Sequence, residues 1–327
     1  MVQEEPLLVT LVRLVDTLPF PEPVSKPGRG RPKVYSDRLI IKALVIMIVR
    51  RLYTAYSLLA FLEQPTVLTQ QLRVLLTENG GFPTRRTWER RLQTLPDDLP
   101  GLIGCLGRHL VGLLHPWAAC GRAVAVDSTA LRAHGGVWHK KHRDKGEVPH
   151  TSIDTDANWS KSGYHGWWYG WKLHLACAVC SIWLPLAAEL TVANTDDASV
   201  APRLLPHLPP EVRYLLGDTH YNTADLRAIC QTYGCWLIAT RRGSYPHSDE
   251  GVEVRRIFHK LRSLAMEPFN SVFKNIFEWG GQVPVKGLGR TQRVVLGAIF
   301  VYQLVLLYQF QHDLPLGQGI KPLLRAA

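Results

Sequence analysis

Between Asp37 and about Gln64 the apolar side chains fall at helical spacing: Ile40, Ile41, Leu44, Val45, Ile48 and Leu52. Val67 to Thr77 continues the pattern, Gly80-Gly81 interrupts it, and Thr84 then stands as an N-cap for a helix running to about Leu95. A further helical stretch covers about Leu99 to Leu114. The pattern predicts an all-helical region over residues 37–120. From Arg122 onward the period changes. Strand-like runs occur at Ala123–Val126, Lys172–Val179, Leu184–Val192, Arg213–Leu216 and Trp236–Ala239. Helical stretches lie at about Ala198–Leu205, Thr223–Tyr233 and Val254–Trp279. In order this reads strand, strand, strand, helix, strand, helix, strand, helix. That is an α/β unit, a mixed sheet of five strands with flanking helices, over residues 121–327. Its last stretch, Val294 to Phe310, is nearly all apolar and long enough to span a membrane. Gln303 and Gln309 interrupt it and bases flank both ends, so a buried core helix, with no membrane partner, is expected.

Two segments show neither period. Residues 1–36 read as an N-terminal segment ending in a basic linker, where Pro27, Gly28, Gly30 and Pro32 alternate with Lys26, Arg29, Arg31 and Lys33. Arg29-Gly30-Arg31 has the form of an AT-hook core, and an extended Arg-Gly-Arg fits a narrow A·T minor groove. A plain basic linker accounts for the same residues. Residues 131–168 form a long insertion rich in His, Trp, Gly and Lys. A DNA-contacting loop with stacking aromatics suits it. His139 and His142 lack the Cys partners a structural zinc would want.

Composition narrows the partner. Of 327 residues 46% are hydrophobic and 20% charged, which fits a globular chain. Lys and Arg number 38 against 27 Asp and Glu, a formal net charge of +11, so a polyanion is expected: nucleic acid or an anionic membrane. Part of that charge is clustered. Arg85, Arg86, Arg90 and Arg91 surround Trp88 on the helix that Thr84 begins, as in the reading helix of a helix-turn-helix. An amphipathic helix with a solvated basic face is the alternative. Six cysteines are too few for a disulfide scaffold of this size, and reduced thiols fit a cytosolic protein. The acidic start Met1-Val2-Gln3-Glu4-Glu5 lacks a signal-peptide pattern, so a cytoplasmic location is expected.

Three acids carry the candidate chemistry. Asp127 closes the run Val124-Ala125-Val126-Asp127, and Asp218 closes Tyr214-Leu215-Leu216-Gly217-Asp218. Each ends an apolar run, where a buried strand delivers its last side chain to a sheet edge. If those strands are parallel neighbours, both carboxylates stand at the edge where α/β sheets put their ligands. Glu267 sits among bases, and Lys260, Glu267 and Lys274, spaced by seven, share one face of a continuous helix. Converging carboxylates repel unless cations bridge them, and hard divalent cations take such oxygen ligands. A two-metal site clamps the attacking and leaving oxygens of a phosphodiester. Taken singly, each acid also fits a surface salt bridge.

Longer pieces line up in series: Ala125-Val126-Asp127-Ser128-Thr129, Trp159 to His165, Tyr169-Gly170-Trp171-Lys172-Leu173-His174, Leu190 to Asp197, Leu216-Gly217-Asp218-Thr219-His220-Tyr221, and Arg262 to Lys274 around Glu267. Over about residues 122 to 280 the chain resembles a bacterial insertion-sequence transposase of the Asp-Asp-Glu, RNase-H-like class, near insertion-sequence families four and five. The resemblance implies an RNase-H-like sheet in which Asp127, Asp218 and Glu267 ligate two Mg²⁺ ions, with Mn²⁺ as a substitute. It implies that Tyr221, Arg262 and Lys274 contact DNA beside the site, and Lys260, Lys172 and His174 are expected to contact it as well. It further implies double-stranded DNA, as inverted repeats and target, bound by a homodimer in the nucleoid-associated cytoplasm of a prokaryote. The implied reaction is phosphodiester hydrolysis followed by strand transfer. A two-metal nuclease without strand transfer would use the same carboxylates; a decayed, non-catalytic DNA-binding protein is a third reading, against which the intact acids speak.

Two departures from that family pattern matter. The interval from Arg262 to Glu267 is one residue longer than usual. Pro268 directly follows Glu267, and a residue before proline disfavours helix. Pro268 is therefore a candidate first residue of a new helix, with Glu267 as its cap. There is also no room before Glu267 for a large β insertion of the kind some relatives carry.

Overall fold

The structure, a computed structural model, describes residues 5–20, 34–118, 120–163, 166–239 and 249–327. Arg29 and Arg31 of the AT-hook reading, and Tyr164 and His165, lie outside the described residues. The first part is helical: α1 (Leu7–Thr17), α2 (Asp37–Val49), α3 (Ala55–Leu62), α4 (Val67–Leu75), α5 (Arg85–Thr94) and α6 (Leu99–Ala118). The helical run expected from Asp37 to Gln64 is two helices. Arg51 takes a left-handed φ of 56°, and Thr54 starts the second helix through a capping box, its hydroxyl accepting from Ser57 N–H while Ser57 Oγ accepts from Thr54 N–H. Thr84 caps α5 as expected, accepting from Thr87 N–H. The pattern reading left α1 unassigned. It starts behind Pro6 with no side-chain cap, yet Leu8, Val9, Leu11, Val12 and Val15 are buried against α2, α4 and a late helix described below.

The second part is built on one sheet: β1 (Ala123–Arg132), β2 (Asn158–Ser162), β3 (Gly166–Ala178), β4 (Leu184–Val192), β5 (Tyr214–Leu216) and β6 (Trp236–Ile238). β4, β3 and β1 are antiparallel neighbours; β5 then pairs parallel with β1, and β6 parallel with β5. Five strands were expected and six are present among the described residues. The sixth, β2, pairs antiparallel with the start of β3 inside the insertion, which also holds the short α7 (Lys140–Arg143). No residue of β2 is buried, so it has no buried face for an alternating pattern to announce. The insertion's aromatics are largely structural. Trp138 and Trp159 donate their Nε1–H groups to the Glu147 and Trp138 carbonyls, Trp159 packs on Tyr169, and Trp168 is buried. Trp167 is the exposed exception. A Cβ at Gly170 would overlap the Leu131 carbonyl, so β3 approaches β1 there on a glycine.

Helices complete the core. α8 (Asp197–Leu204) packs on β3 and β4, and α9 (Ala224–Thr232) on α8 and β6. α10 (Asp249–Ile276) crosses β1 and β3, and α12 (Ile320–Ala326) packs on α10. α11 (Leu288–Gln311) ties the two parts together, touching α1, α2, α5, α6 and β4. By length and hydropathy it could cross a membrane, but 83% of its most apolar window is buried inside the molecule. Gln303 and Gln309, the glutamines that interrupt its apolar run, are buried; each is held by hydrogen bonds, though Gln303 Oε1 has no partner among the described residues. Gln303 Nε2 donates to the Ile103 and Pro185 carbonyls at 3.0 and 2.8 Å, and Gln309 bonds Gln318 O and Gly317 N–H. Arg293, also buried, donates to the Leu92 and Tyr53 carbonyls.

Candidate active site

The register of β1 and β5 sets Ala123 opposite Tyr214, Val124 opposite Leu215 and Ala125 opposite Leu216. Carried two residues further, it sets Asp218, just past the end of β5, level with Asp127, which lies midway along β1 and does not close that strand as the apolar run suggested. The buried Val124, Ala125 and Val126, with Leu215 and Leu216, anchor the two strands in the core, and the acids emerge where β5 ends. Gly217 makes the exit from β5 possible. A Cβ there would come 2.8 Å from Tyr221 Cβ, and Tyr221 lies buried under the turn.

The two carboxylates are differently held. Asp218 Oδ1 accepts from His220 N–H at 2.8 Å, and its Oδ2 lies 3.1 Å from His220 Nδ1, which raises the imidazole's pKa. Asp127 Oδ1 accepts from Ser128 N–H at 2.8 Å, and Oδ2 accepts from Arg262 Nη1 at 2.9 Å. Burial pushes the Asp127 carboxyl up to about 6; Arg262 and the Ser128 N–H oppose that, while Asp218 and Asp197 add to it. Asp127 and Arg262 side chains are 24% and 13% exposed, too sheltered for water to screen the pair fully.

Asp197, the last residue of the piece Leu190 to Asp197, also belongs to this edge. It is the first residue of α8, behind the cap residue Asp196, and it adds a third negative charge to this edge. Lys172 Nζ donates to Asp197 Oδ1 at 3.0 Å and to Thr195 O at 2.9 Å. His174 Nδ1 lies 3.5 Å from the same Oδ1, and its Nε2 is 2.8 Å from Thr191 Oγ1. Burial holds that imidazole near 4, hence neutral at neutral pH. A cleft of about 430 Å³ is lined by Ser128, Lys161, Lys172, Asp197, Asp218 and His220, among others. The sequence signal was there to read: an acidic pair directly after a strand, opening a helix.

Other expected site residues are spread more widely. Glu267 is exposed on α10, five residues past Arg262 and so about 140° further round the helix. The helix runs unbroken through Pro268, which corrects the expectation of a new helix beginning there. Proline removes one helical hydrogen bond, to the Leu264 carbonyl, and Leu264 is 56% exposed, so water can serve that group. With α10 continuous, Lys260, Glu267 and Lys274 do share a face; Lys260 is exposed, while partial burial lowers the Lys274 pKa. Tyr221 and His174 are buried and offer a ligand little surface. On α5, Arg91 is turned inward, bonded to Tyr35 O and paired with Asp37. Arg85 pairs with Glu89 at 2.7 Å, and Arg86 and Arg90 are exposed.

Among the described residues, no group of three or more His, Cys, Asp or Glu side chains is placed to hold a metal ion. Asp127 and Asp218 still fit one as a pair. They supply the hard oxygen atoms a divalent cation takes, and a cation would relieve the burial and repulsion that lift Asp127.

Comparison with known proteins bears on the same stretch. No curated protein matches the chain. Among solved structures, the chain is similar to a piggyBac transposase synaptic complex with hairpin DNA, at 8% identity and a TM-score of 0.39, over 97% of this chain and 76% of that one. It is also similar to a pre-cleavage Mos1 transpososome, at 15% identity and a TM-score of 0.22, over 88% of this chain and 79% of that one. Both likenesses are remote. Residues 118–280 match the family model described as the Transposase DDE domain. The matched stretch is the one that holds Asp127, Asp218 and Glu267.

Proposed function

We propose that this chain is a DNA transposase of a bacterial insertion sequence, near families four and five, that binds terminal inverted repeats, cuts them and joins the freed end to target DNA. The carrying observation is the pairing of β1 with β5, which sets Asp127 beside Asp218 within the matched domain. The strand order supports an RNase-H-like reading: three antiparallel strands, then two parallel to the first. Asp127, Asp218 and Glu267 are the proposed ligands of two Mg²⁺ ions. Bound there, the ions would lower the pKa of the attacking group and neutralise charge on the leaving oxygen.

The chain's own residues prepare that site. Arg262 supplies the positive charge that Asp127 needs when no cation is bound. A divalent cation competes with it, and Glu267, exposed about 140° further round α10, is the acid that a substantial turn or shift of that helix would have to bring to the pair. Lys172 and Lys161 line the cleft where a phosphate would lie. The helical region is the proposed reader of the repeats, through exposed Arg86 and Arg90 on α5, and two copies of the chain would hold two ends. Each phosphate contact steepens the salt dependence of binding by about 0.9 in log–log slope, so Arg86→Ala/Arg90→Ala should flatten it by about two. Titration of a labelled repeat duplex from low to moderate salt reads this directly; an unchanged slope would remove α5 from the DNA surface.

The test of the activity is a duplex carrying the element's own end. Wild-type protein with Mg²⁺ should release a 3′-hydroxyl at the repeat boundary and join it to a second duplex. Cleavage without joining would leave a two-metal nuclease. Neither product, with repeat binding intact, would leave a DNA-binding protein that has lost its chemistry.

A further inference from the structure

Lys172 and His174 are alternate residues of β3, so both face the same side of the sheet, the side covered by α8. The neighbouring register positions are Ala130 and Ser128 on β1 and Thr191 and Glu189 on β4. The first turn of α8 therefore sits over a lysine and a histidine, and Asp197 meets both through one oxygen, Oδ1. His174 is buried and neutral, so it brings no charge to that carboxylate. Lys172 is the cation that Asp197 holds. The ammonium has three N–H donors; Asp197 and the Thr195 carbonyl take two of them. Its side chain is 17% exposed, and it lines the same cleft as Asp218 and Ser128.

A lysine so held differs from a free surface lysine. Its four-carbon stem is flexible, and fixing the head at two points removes most of that freedom before any ligand arrives. Asp197 has a plainer possible role, since an acid at the first position of a helix also complements the helix dipole. That role needs no contact with Lys172, and Asp196 already supplies the cap hydrogen bond, to Ser199 N–H.

We propose that Asp197 is a positioning residue for cleavage: with the Thr195 carbonyl it fixes Lys172 at the cleft wall, so that the third N–H meets a phosphate oxygen of the strand lying beside Asp218. This rests on the DNA-cleaving reading given above. The chemical class recognised is a phosphodiester backbone, with no dependence on base identity.

The test turns on a conflict of signs. Asp197→Asn removes a negative charge and loosens an ammonium, so charge alone predicts tighter DNA binding. Positioning predicts slower cleavage, because misplacing a contact by about 1 Å can cost on the order of 10- to 100-fold. The full-length protein is assayed for both on one repeat-end duplex, by fluorescence anisotropy and by single-turnover cleavage, alongside Lys172→Met and the double variant. The expected result is affinity equal to or tighter than wild type, cleavage at least about tenfold slower, and no further loss when Asp197→Asn is added to Lys172→Met. Asp197→Glu, which keeps the charge, should recover part of the rate. Wild-type cleavage in Asp197→Asn, or losses that simply add, would overturn the proposal while leaving the cleavage reading intact. A fall in thermal stability matching the fall in rate, unrescued by Asp197→Glu, would overturn it in favour of the helix role. Failure of the wild-type protein to cleave would instead count against the DNA-cleaving reading, and against this proposal with it.

Discussion

Asp127→Ala and Asp218→Ala proteins are expected to lose divalent-dependent strand cleavage by at least about 10³-fold, because a bridging cation is worth several kcal/mol of transition-state stabilisation. DNA affinity should barely move, since binding rests on cationic contacts to phosphate and not on these acids. The two variants should differ in stability. Asp127→Ala leaves Arg262 half-sheltered beside β1 without its carboxylate, and an unpaired buried charge is costly. Asp218 is bonded to an exposed imidazole and its own turn, so its loss should be milder. Asp127→Asn, which keeps an oxygen for the Ser128 N–H, separates the two effects: it should restore part of the stability and none of the cleavage. Cleavage within about tenfold of wild type in either alanine variant would move the chemistry elsewhere.

Phe300→Ala should be among the most destabilising single changes in the chain. The side chain is fully buried in the middle of α11, the helix that joins the N-terminal helices to β4. Large-to-small changes of this kind cost about 3–5 kcal/mol, a large part of the 5–15 kcal/mol that holds a typical domain together. Gln303→Leu should cost about 1–3 kcal/mol, because the Ile103 and Pro185 carbonyls lose their donor. Urea unfolding measures both, and a chain ending at residue 290 should not fold cooperatively at all. A truncated chain that folds and cuts DNA would return α11 to the reading of an independent apolar anchor.

The architecture was legible where one face of an element is buried. β1, β3 and β4 carry long apolar runs, and the caps Thr84 and Thr223 mark helix starts in the sequence as they do in space. What escaped has a physical reason in each case. β2 exposes some of every side chain, so it has no period. α1 is apolar on its inner face but lacks a capping side chain. The break between α2 and α3 turns on Arg51 taking a left-handed conformation, which no residue preference announces.

The candidate site divides the same way. Asp127 and Asp218 could be placed together from sequence because parallel pairing has a fixed register. Arg262 could not be set against Asp127, because a helix partner depends on how α10 crosses the sheet. The basic cluster on α5 also reads differently in space: Arg91 serves the packing of α5 on α2, and Arg85 is engaged with Glu89. Charge in a sequence does not distinguish a cation facing DNA from one satisfying a carbonyl.

The most direct measurement is to let the metal report its own position. Fe²⁺ replaces Mg²⁺ at oxygen-rich sites, and with ascorbate and peroxide it generates hydroxyl radicals that cut the backbone within a few ångströms of where it is bound. Full-length protein on its repeat duplex should be cut beside Asp127 and Asp218, and beside Glu267 once DNA is bound, with every cut suppressed by excess Mg²⁺ and absent from Asp127→Ala/Asp218→Ala. Cuts that ignore Mg²⁺ or persist in the double variant would contradict a divalent-cation centre between Asp127 of β1 and Asp218 beyond β5.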